Sequence, residues 1–263
     1  MNYFLGLDSG STTTKAVIIN ETRKIVSQAI VPTGANSRAA INKVTGTVLK
    51  QIKITPGDIA CTVSTGYGRK QAATADKQVT EITCHARGVN WLIPDARTII
   101  DIGGQDFKIM ALDSKGNVID FRMNDKCAAG TGRFMEVMAR VLELELDHFS
   151  VIALKAQKRV EITSVCTVFA ETEVINHISS GTPLPDLANG IFTAVATRVY
   201  ALARSLITSS SVVAFTGGVA QNIGMAKALE EKVGQKLEVP PQPQMTGAIG
   251  AALVAANHFL KQE

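Results

Sequence analysis

Leu7-Asp8-Ser9-Gly10-Ser11-Thr12-Thr13-Thr14-Lys15 and Ile100-Asp101-Ile102-Gly103-Gly104-Gln105-Asp106 are the same event written twice. In each, an apolar run rich in strand-forming residues delivers an aspartate into a turn of glycine and polar residues. The surroundings repeat as well. Residues 3–8, 14–19 and 25–31 read as three strands joined by polar turns. Ala39, Ile41, Val44, Val48, Leu49 and Ile52 then fall near helical period, which predicts a helix over 36–52. A strand over 59–64 and a helix over 79–93, ended by Pro94, complete the first half. The second half opens with strands at 97–102, 107–112 and 117–122. Helices follow over about 130–144, 147–156, 167–180 and 186–207. A strand at 211–216, a helix near 222–233, a short strand at 236–239 and an Ala/Gly-rich apolar helix over about 246–261 close the chain. The pattern predicts an α/β protein of two like halves divided near residues 94–95. No low-complexity linker separates them, which predicts close packing about a cleft.

Composition removes several classes of function. With 263 residues the chain forms one large domain or two small ones. Its 27 Lys+Arg against 23 Asp+Glu leave a net charge of +4, spread along the sequence. That balance excludes a nucleic-acid arm and a polybasic membrane anchor. The 46% hydrophobic and 19% charged content excludes disorder. No apolar run reaches the roughly 18–20 residues that span a bilayer. Met1-Asn2-Tyr3-Phe4 has no basic leader, so a cytoplasmic protein is expected. The four cysteines, Cys61, Cys84, Cys127 and Cys166, are too few for a disulfide framework, yet four is the ligand number of one [4Fe–4S] cluster.

The turns carry the first candidate chemistry. Asp8 is a hard oxygen ligand suited to Mg²⁺ or its waters. Gly10 lets a phosphate approach the backbone, Ser11, Thr12 and Thr13 offer donors, and Lys15 adds a positive charge. Taken alone, this is also a polar β-turn. The mirrored Asp101 with Gly103 and Gly104 strengthens the metal–phosphate reading, and Gln105 could orient a water for attack on a γ-phosphate. Phe215-Thr216-Gly217-Gly218-Val219-Ala220-Gln221-Asn222 is a third element, a strand entering a Gly-Gly turn that could wall an adenine or ribose, with Gln221 beside it. There is no P-loop, and Gly130-Thr131-Gly132-Arg133-Phe134-Met135 fails the dinucleotide pattern at its sixth position.

These three elements resemble the actin/Hsp70/sugar-kinase ATPase superfamily over the whole chain. The resemblance implies duplicated ribonuclease H-like domains (the actin/Hsp70/hexokinase type) with ATP or ADP and Mg²⁺ in the interdomain cleft. It implies a first domain over 1–94, joined by a C-terminal helix at about 245–263, and a second over 95–244 that carries Cys127 and Cys166.

The cysteines narrow the reading further. Asn124-Asp125-Lys126-Cys127-Ala128-Ala129-Gly130-Thr131-Gly132-Arg133-Phe134 precedes one predicted helix. Ser164-Val165-Cys166-Thr167-Val168-Phe169-Ala170-Glu171 precedes another. Each cysteine is thus expected at a helix N-terminus, where the dipole favours a thiolate. Two cysteines cannot hold a [4Fe–4S] cluster, but a C₂ dimer would supply four. The alternatives are a Cys127–Cys166 disulfide, buried small hydrophobes, or one cluster held by all four cysteines of a monomer. Cys61 lies in a predicted strand and Cys84 in a predicted helix beside His85, which favours core positions for both. Glu171 is expected to be structural.

The motifs at 101–106, 124–134, 166–171 and 216–222, with Thr65-Gly66-Tyr67-Gly68-Arg69 and the stretch 75–86, resemble the activator component of 2-hydroxyacyl-CoA dehydratases, in the BadF/BcrA-like ATPase family. The resemblance implies an oxygen-sensitive homodimer with one bridging [4Fe–4S] cluster on Cys127 and Cys166. It would pass an electron from reduced ferredoxin or flavodoxin to the dehydratase, driven by ATP hydrolysis. The same family includes benzoyl-CoA reductase subunits and activators of double-cubane-cluster proteins. A small-molecule kinase or a nucleotide-gated regulator on the same fold are the competing classes.

Overall fold

The computed structural model describes residues 2–163, 166–208 and 211–260. Ser164 and Val165 of the second cysteine motif, and Lys261 at the expected end of the last helix, lie outside the described residues.

Strand β1 (Tyr3–Ser9) pairs antiparallel with β2 (Thr13–Asn20), which pairs antiparallel with β3 (Ile25–Pro32). Helix α1 (Ser37–Gln51) follows, started by the Asn36 side chain, which accepts the Ala39 N–H at 3.0 Å. Strand β4 (Ile59–Thr65) then runs parallel to β1, and the two-residue β5 (Lys77–Gln78) runs parallel to β4. Helix α2 (Glu81–Leu92) is capped by Thr80. The sheet order is β3-β2-β1-β4-β5.

Both faces of this sheet are covered, so β1 and β2 are apolar almost throughout rather than alternating. Period-two geometry sorts their side chains. Leu5, Leu7, Ala16 and Ile18 pack on Ile41, Val44, Val48 and Leu49 of α1. Phe4, Val17 and Ile19 pack on the other face with Cys61, Cys84 and the last helix, α8 (Thr246–Phe259).

The second sheet is built from β6 (Ala96–Ile102), β7 (Phe107–Leu112), β8 (Val118–Asn124), β9 (Val212–Thr216) and β10 (Leu237–Glu238). Its order is β10-β9-β6-β7-β8. Read outward from its first strand, β8-β7-β6-β9-β10 repeats β3-β2-β1-β4-β5, so the topology is duplicated even though the residues are not. Its helices are α3 (Gly132–Val141), α4 (Leu146–Ile152), α5 (Thr167–Ser179), α6 (Leu184–Ala203) and α7 (Ile223–Val233). Ile100, Ile102, Phe107 and Ile109 of the sheet join Phe134, Met138, Phe149, Ile191 and Phe192 in one core, where the Phe149 and Phe192 rings lie 4.5 Å apart.

The chain separates into two compact units. Unit 1 comprises Met1–Ala96, Leu112–Ile119 and Gln244–Glu263; unit 2 comprises Arg97–Ala111 and Asp120–Pro243. The expected elements form, with differences at their ends that have local causes. Helix α3 begins at Gly132 rather than 130 because Gly130 sits at φ +94°, outside helical space. It ends at Val141 rather than 144, and Glu143 at φ +53° turns the chain into α4.

Candidate functional site

In unit 1 the β1–β2 hairpin places Asp8 directly opposite Lys15. Asp8 is buried, and Lys15 Nζ approaches its Oδ2 at 3.3 Å. A carboxylate with one cationic donor keeps lone pairs for further ligands. The turn closes by a hydrogen bond from the Gly10 N–H to the Thr13 carbonyl at 3.1 Å, leaving Ser11 and Thr12 exposed at its tip. Thr33 fixes the turn from β3's far end. Its N–H donates to Thr12 O at 2.9 Å and its hydroxyl to Gly10 O at 2.9 Å. The turn is therefore rigid at its base, where Asp8 faces Lys15 and Thr13 closes the loop, and open at its tip, where Ser11 and Thr12 lie.

Other residues of unit 1 crowd Asp8 that sequence reasoning did not assign. Gly66, at φ +89°, lies so close that a Cβ would stand 2.7 Å from Asp8 Oδ1. At Gly247 a Cβ would stand 3.0 Å from Asp8 Oδ2 and 2.9 Å from His85 Nε2. His85 is buried, and its Nδ1 lies 3.1 Å from the Thr246 hydroxyl. These glycines let the turn after β4 and the start of α8 approach the aspartate, and no side chain could replace them without displacing it.

Unit 2 repeats the arrangement. Asp101 is buried at the same place on β6, opposite Lys108 on β7. The Thr216 hydroxyl donates to Asp101 Oδ1 at 2.8 Å, and Lys108 Nζ contacts Asp106 Oδ2 at 2.8 Å. Gly103 N–H donates to Asp106 O at 2.9 Å and closes the turn, with Gln105 exposed. The start of α3 braces it: the N–H groups of Gly132 and Arg133 donate to the carbonyls of Gly103 and Gly104, each at 2.9 Å. Gly217, at φ +86°, has no room for a Cβ against the Ile102 backbone, whereas Gly218 borders open space. Gln221 Nε2 reaches back to Gly218 O at 3.4 Å. Asp101, Gly103, Gly104, Gln105, Gly217, Gly218 and Gln221 are thus carried on the ends of β6 and β9 and the turns they enter.

The cysteines divide by environment. Cys61 and Cys84 are buried in unit 1. Burial pushes the Cys84 thiol up to about 12, and the negative charges of Asp8 and Glu81 add to the rise. Burial, then the charge of Asp76, also raises Cys61. Neither is a ready thiolate. Cys127 is half-buried and Cys166 exposed. Cys166 is the N-cap of α5, as its sequence context predicts, with its carbonyl accepting the Ala170 N–H at 2.9 Å. Cys127 corrects the expectation. It lies four residues ahead of the Thr131 cap of α3, in a turn held by Asn124 Nδ2, which donates to Cys127 O at 3.1 Å. The left-handed Gly130 forbids the helix from reaching back to it.

Residues flanking both cysteines line one groove. A groove of about 710 Å³ in unit 2 is lined by Ala129 and Gly130, just after Cys127, and by Glu161, Ile162 and Thr163, just before Cys166. Past Cys166, α5 exposes Val168 (65%) and Phe169 (68%). Among the described residues no three His, Cys, Asp or Glu side chains converge to hold a metal ion. Cys127 and Cys166 are two thiols, half the set of a [4Fe–4S] cluster. The donor chemistry therefore fits that cluster when a second chain supplies the other half.

A family model described as the BadF/BadG/BcrA/BcrD ATPase family matches residues 5–255. The activator of lactoyl-CoA dehydratase from Anaerotignum propionicum is 46% identical over 256 residues, covering 96% of this chain and 97% of that protein. The structure of the activator of the 2-hydroxyisocaproyl-CoA dehydratase from Clostridium difficile, with bound ADPNP, matches with a TM-score of 0.93 at 43% identity, over 99% of this chain and 96% of that one. A ROK family glucokinase from Streptomyces griseus matches with a TM-score of 0.60 at 12% identity, over 97% of this chain and 100% of that one, a likeness of fold alone.

Proposed function

The chain belongs to the BadF/BadG/BcrA/BcrD ATPase family, and on that premise we propose that it is a homodimeric, cytoplasmic activator of a 2-hydroxyacyl-CoA dehydratase. It hydrolyses ATP to drive one low-potential electron from reduced ferredoxin or flavodoxin to that partner. The observation that carries the nucleotide half is the repeated register of a buried aspartate opposite a lysine, Asp8↔Lys15 and Asp101↔Lys108, each beside a tight turn.

In this reading the β1–β2 turn takes the phosphates. Its N–H groups, with Ser11, Thr12 and Thr13, donate to the oxygens, and Lys15 neutralises their charge. Asp8 and Asp101 would hold Mg²⁺ through its waters, where the ion would screen the charge of the phosphates. Gln105 orients the attacking water. Gly103, Gly104, Gly217 and Gly218 bring backbone to the nucleotide, and Gln221 sits beside it. Cys127 and Cys166 would hold half of a [4Fe–4S] cluster, which when bound supplies one-electron transfer. A second copy completes the set, and the exposed Val168 and Phe169 beside Cys166 suit an apolar contact with it. ATP drives the transfer only if it binds two arrangements of the chain unequally.

The two halves of the reading separate in one experiment, done anaerobically on reconstituted protein. Asp101→Asn loses ATP turnover by about 10²-fold or more while keeping the brown cluster colour. Cys166→Ser keeps turnover, loses absorption near about 400 nm and passes no electron to the dehydratase. Full iron in Cys166→Ser, or full turnover in Asp101→Asn, overturns the corresponding half.

A further inference from the structure

The chain approaching Cys166 has no sheet or helix of its own from 157 to 163. A segment without a ladder needs other partners for its backbone groups. Here the N–H groups of Gln157, Lys158 and Thr163 find two carboxylates. Asp186, buried in the first turn of α6, accepts two N–H groups at one oxygen: Gln157 at 2.7 Å and Lys158 at 3.0 Å. The N–H groups of Lys158 and then Gln157 hold its carboxyl below the usual value, although burial opposes them. One turn further along α6, Gly190 lies beneath the strap, where a Cβ would stand 2.6 Å from Val160 O. At the far end, Glu173 of α5 accepts both the N–H and the hydroxyl of Thr163 at one oxygen, at 2.9 and 3.0 Å. Between these points Ile162 is buried in the core of unit 2.

We propose that Asp186 and Glu173 are positioning residues, clamping residues 157–163 onto α6 and α5 so that Cys166 is presented at a fixed place beside the turn that carries Cys127. Charge-assisted hydrogen bonds are the strong ones, and each carboxylate here takes two donors. Glu173 lies on α5 seven residues after Cys166, so its bond to Thr163 ties the chain ahead of the cysteine to the helix that the cysteine caps. Ala129 and Gly130, next to Cys127, line the same groove as Arg159 to Thr163 of the strap. The inference rests on Cys166 as a cluster ligand, but the clamp is measurable without the cluster.

Lys158 and Arg159 put tryptic sites inside the strap. In cluster-free protein, Asp186→Ala and Glu173→Ala, each of which loses two charge-assisted hydrogen bonds, should raise the rate of cleavage there about tenfold or more. Glu173→Gln keeps an oxygen acceptor and should restore most of the protection. In reconstituted protein, iron release to a chelator should quicken by a similar factor in the two alanine variants and the cluster's midpoint potential should shift, while ATP turnover stays unchanged. Wild-type cleavage in Glu173→Ala, which is partly exposed and safe for folding, overturns the clamp. Faster cleavage with unchanged iron release and unchanged potential overturns the positioning role. Should Cys166→Ser keep its iron, the ligand reading falls instead, and the cleavage result is untouched by it.

Discussion

Lys15 and Lys108 occupy the same register position, opposite Asp8 and Asp101; Lys15 contacts Asp8 and Lys108 contacts Asp106. Both are largely buried, and an unpaired buried cation would cost several kcal/mol, about what a domain can spare. Lys15 is legible in the sequence because it closes a run of hydroxyl residues. Lys108 is not, because Phe107-Lys108-Ile109-Met110-Ala111-Leu112 reads as an apolar strand with one solvated side chain, and only the strand register reveals the match. His85 escapes for a different reason: its partner Thr246 is 161 residues away. The cysteines were separable from context, and the prediction follows from their thiols. With its thiol pushed up to about 12, Cys84 has a thiolate fraction of about 10⁻⁴ at pH 8. Iodoacetamide at that pH should modify Cys127 and Cys166 in native, cluster-free protein and leave Cys61 and Cys84 intact until denaturant is added. Peptide mass spectrometry reads the four sites directly. Rapid native labelling of Cys84 would contradict its burial.

Helices α2 and α8 meet backbone to backbone. A Cβ at Gly88 would overlap Thr246 O, one at Gly250 would overlap Cys84 O, and one at Gly6 of β1 would overlap Ala248 O. Glycine at these three places removes side chains that would otherwise hold the helices and the sheet apart, and the close approach is what brings Thr246 and Gly247 to His85 and Asp8. Rigid backbone cannot yield as a flexible side chain can, so Gly250→Ala should cost about 1–3 kcal/mol or more and lower the melting temperature accordingly. Gly46, inside α1, has open space where its Cβ would be. Gly46→Ala should stabilise by up to about 1 kcal/mol. The pair, compared by thermal denaturation, distinguishes contact from helix propensity, because both replace helical glycine by alanine. Periodicity made the long elements legible. It gave no hint of β5, whose two residues are too few for any period, and it overextended α6, expected to 207 but ending at Ala203. The strap onto Asp186 was also invisible, since its donors lie 28 and 29 residues away and carry no side-chain pattern.

At the scale of the whole molecule the repeated sheet order was legible because each half opens with an aspartate leaving a strand into a glycine turn. The family model spanning residues 5–255 agrees with a pattern that runs through the chain. Unit 1, however, is discontinuous: its core takes Ala248, Ala251, Ala252 and Ala255 from α8. Shortening the chain after Pro243 should therefore leave residues 1–96 open to protease while a fragment of unit 2 survives, as gel and mass analysis of a limited digest would show. Survival of both units would mean that α8 is dispensable. The arrangement also sets a timetable. On the ribosome the strands of unit 1 must wait for α8, which is made well after them. About 154 residues separate the end of α2 from the start of α8, so at about 5–20 residues per second the amino-terminal half spends roughly 8–30 s unfinished. The central unit, nearly continuous in sequence, can be complete before its elder neighbour, and during that interval the exposed face of β1, β2 and β4 is what a chaperone would meet.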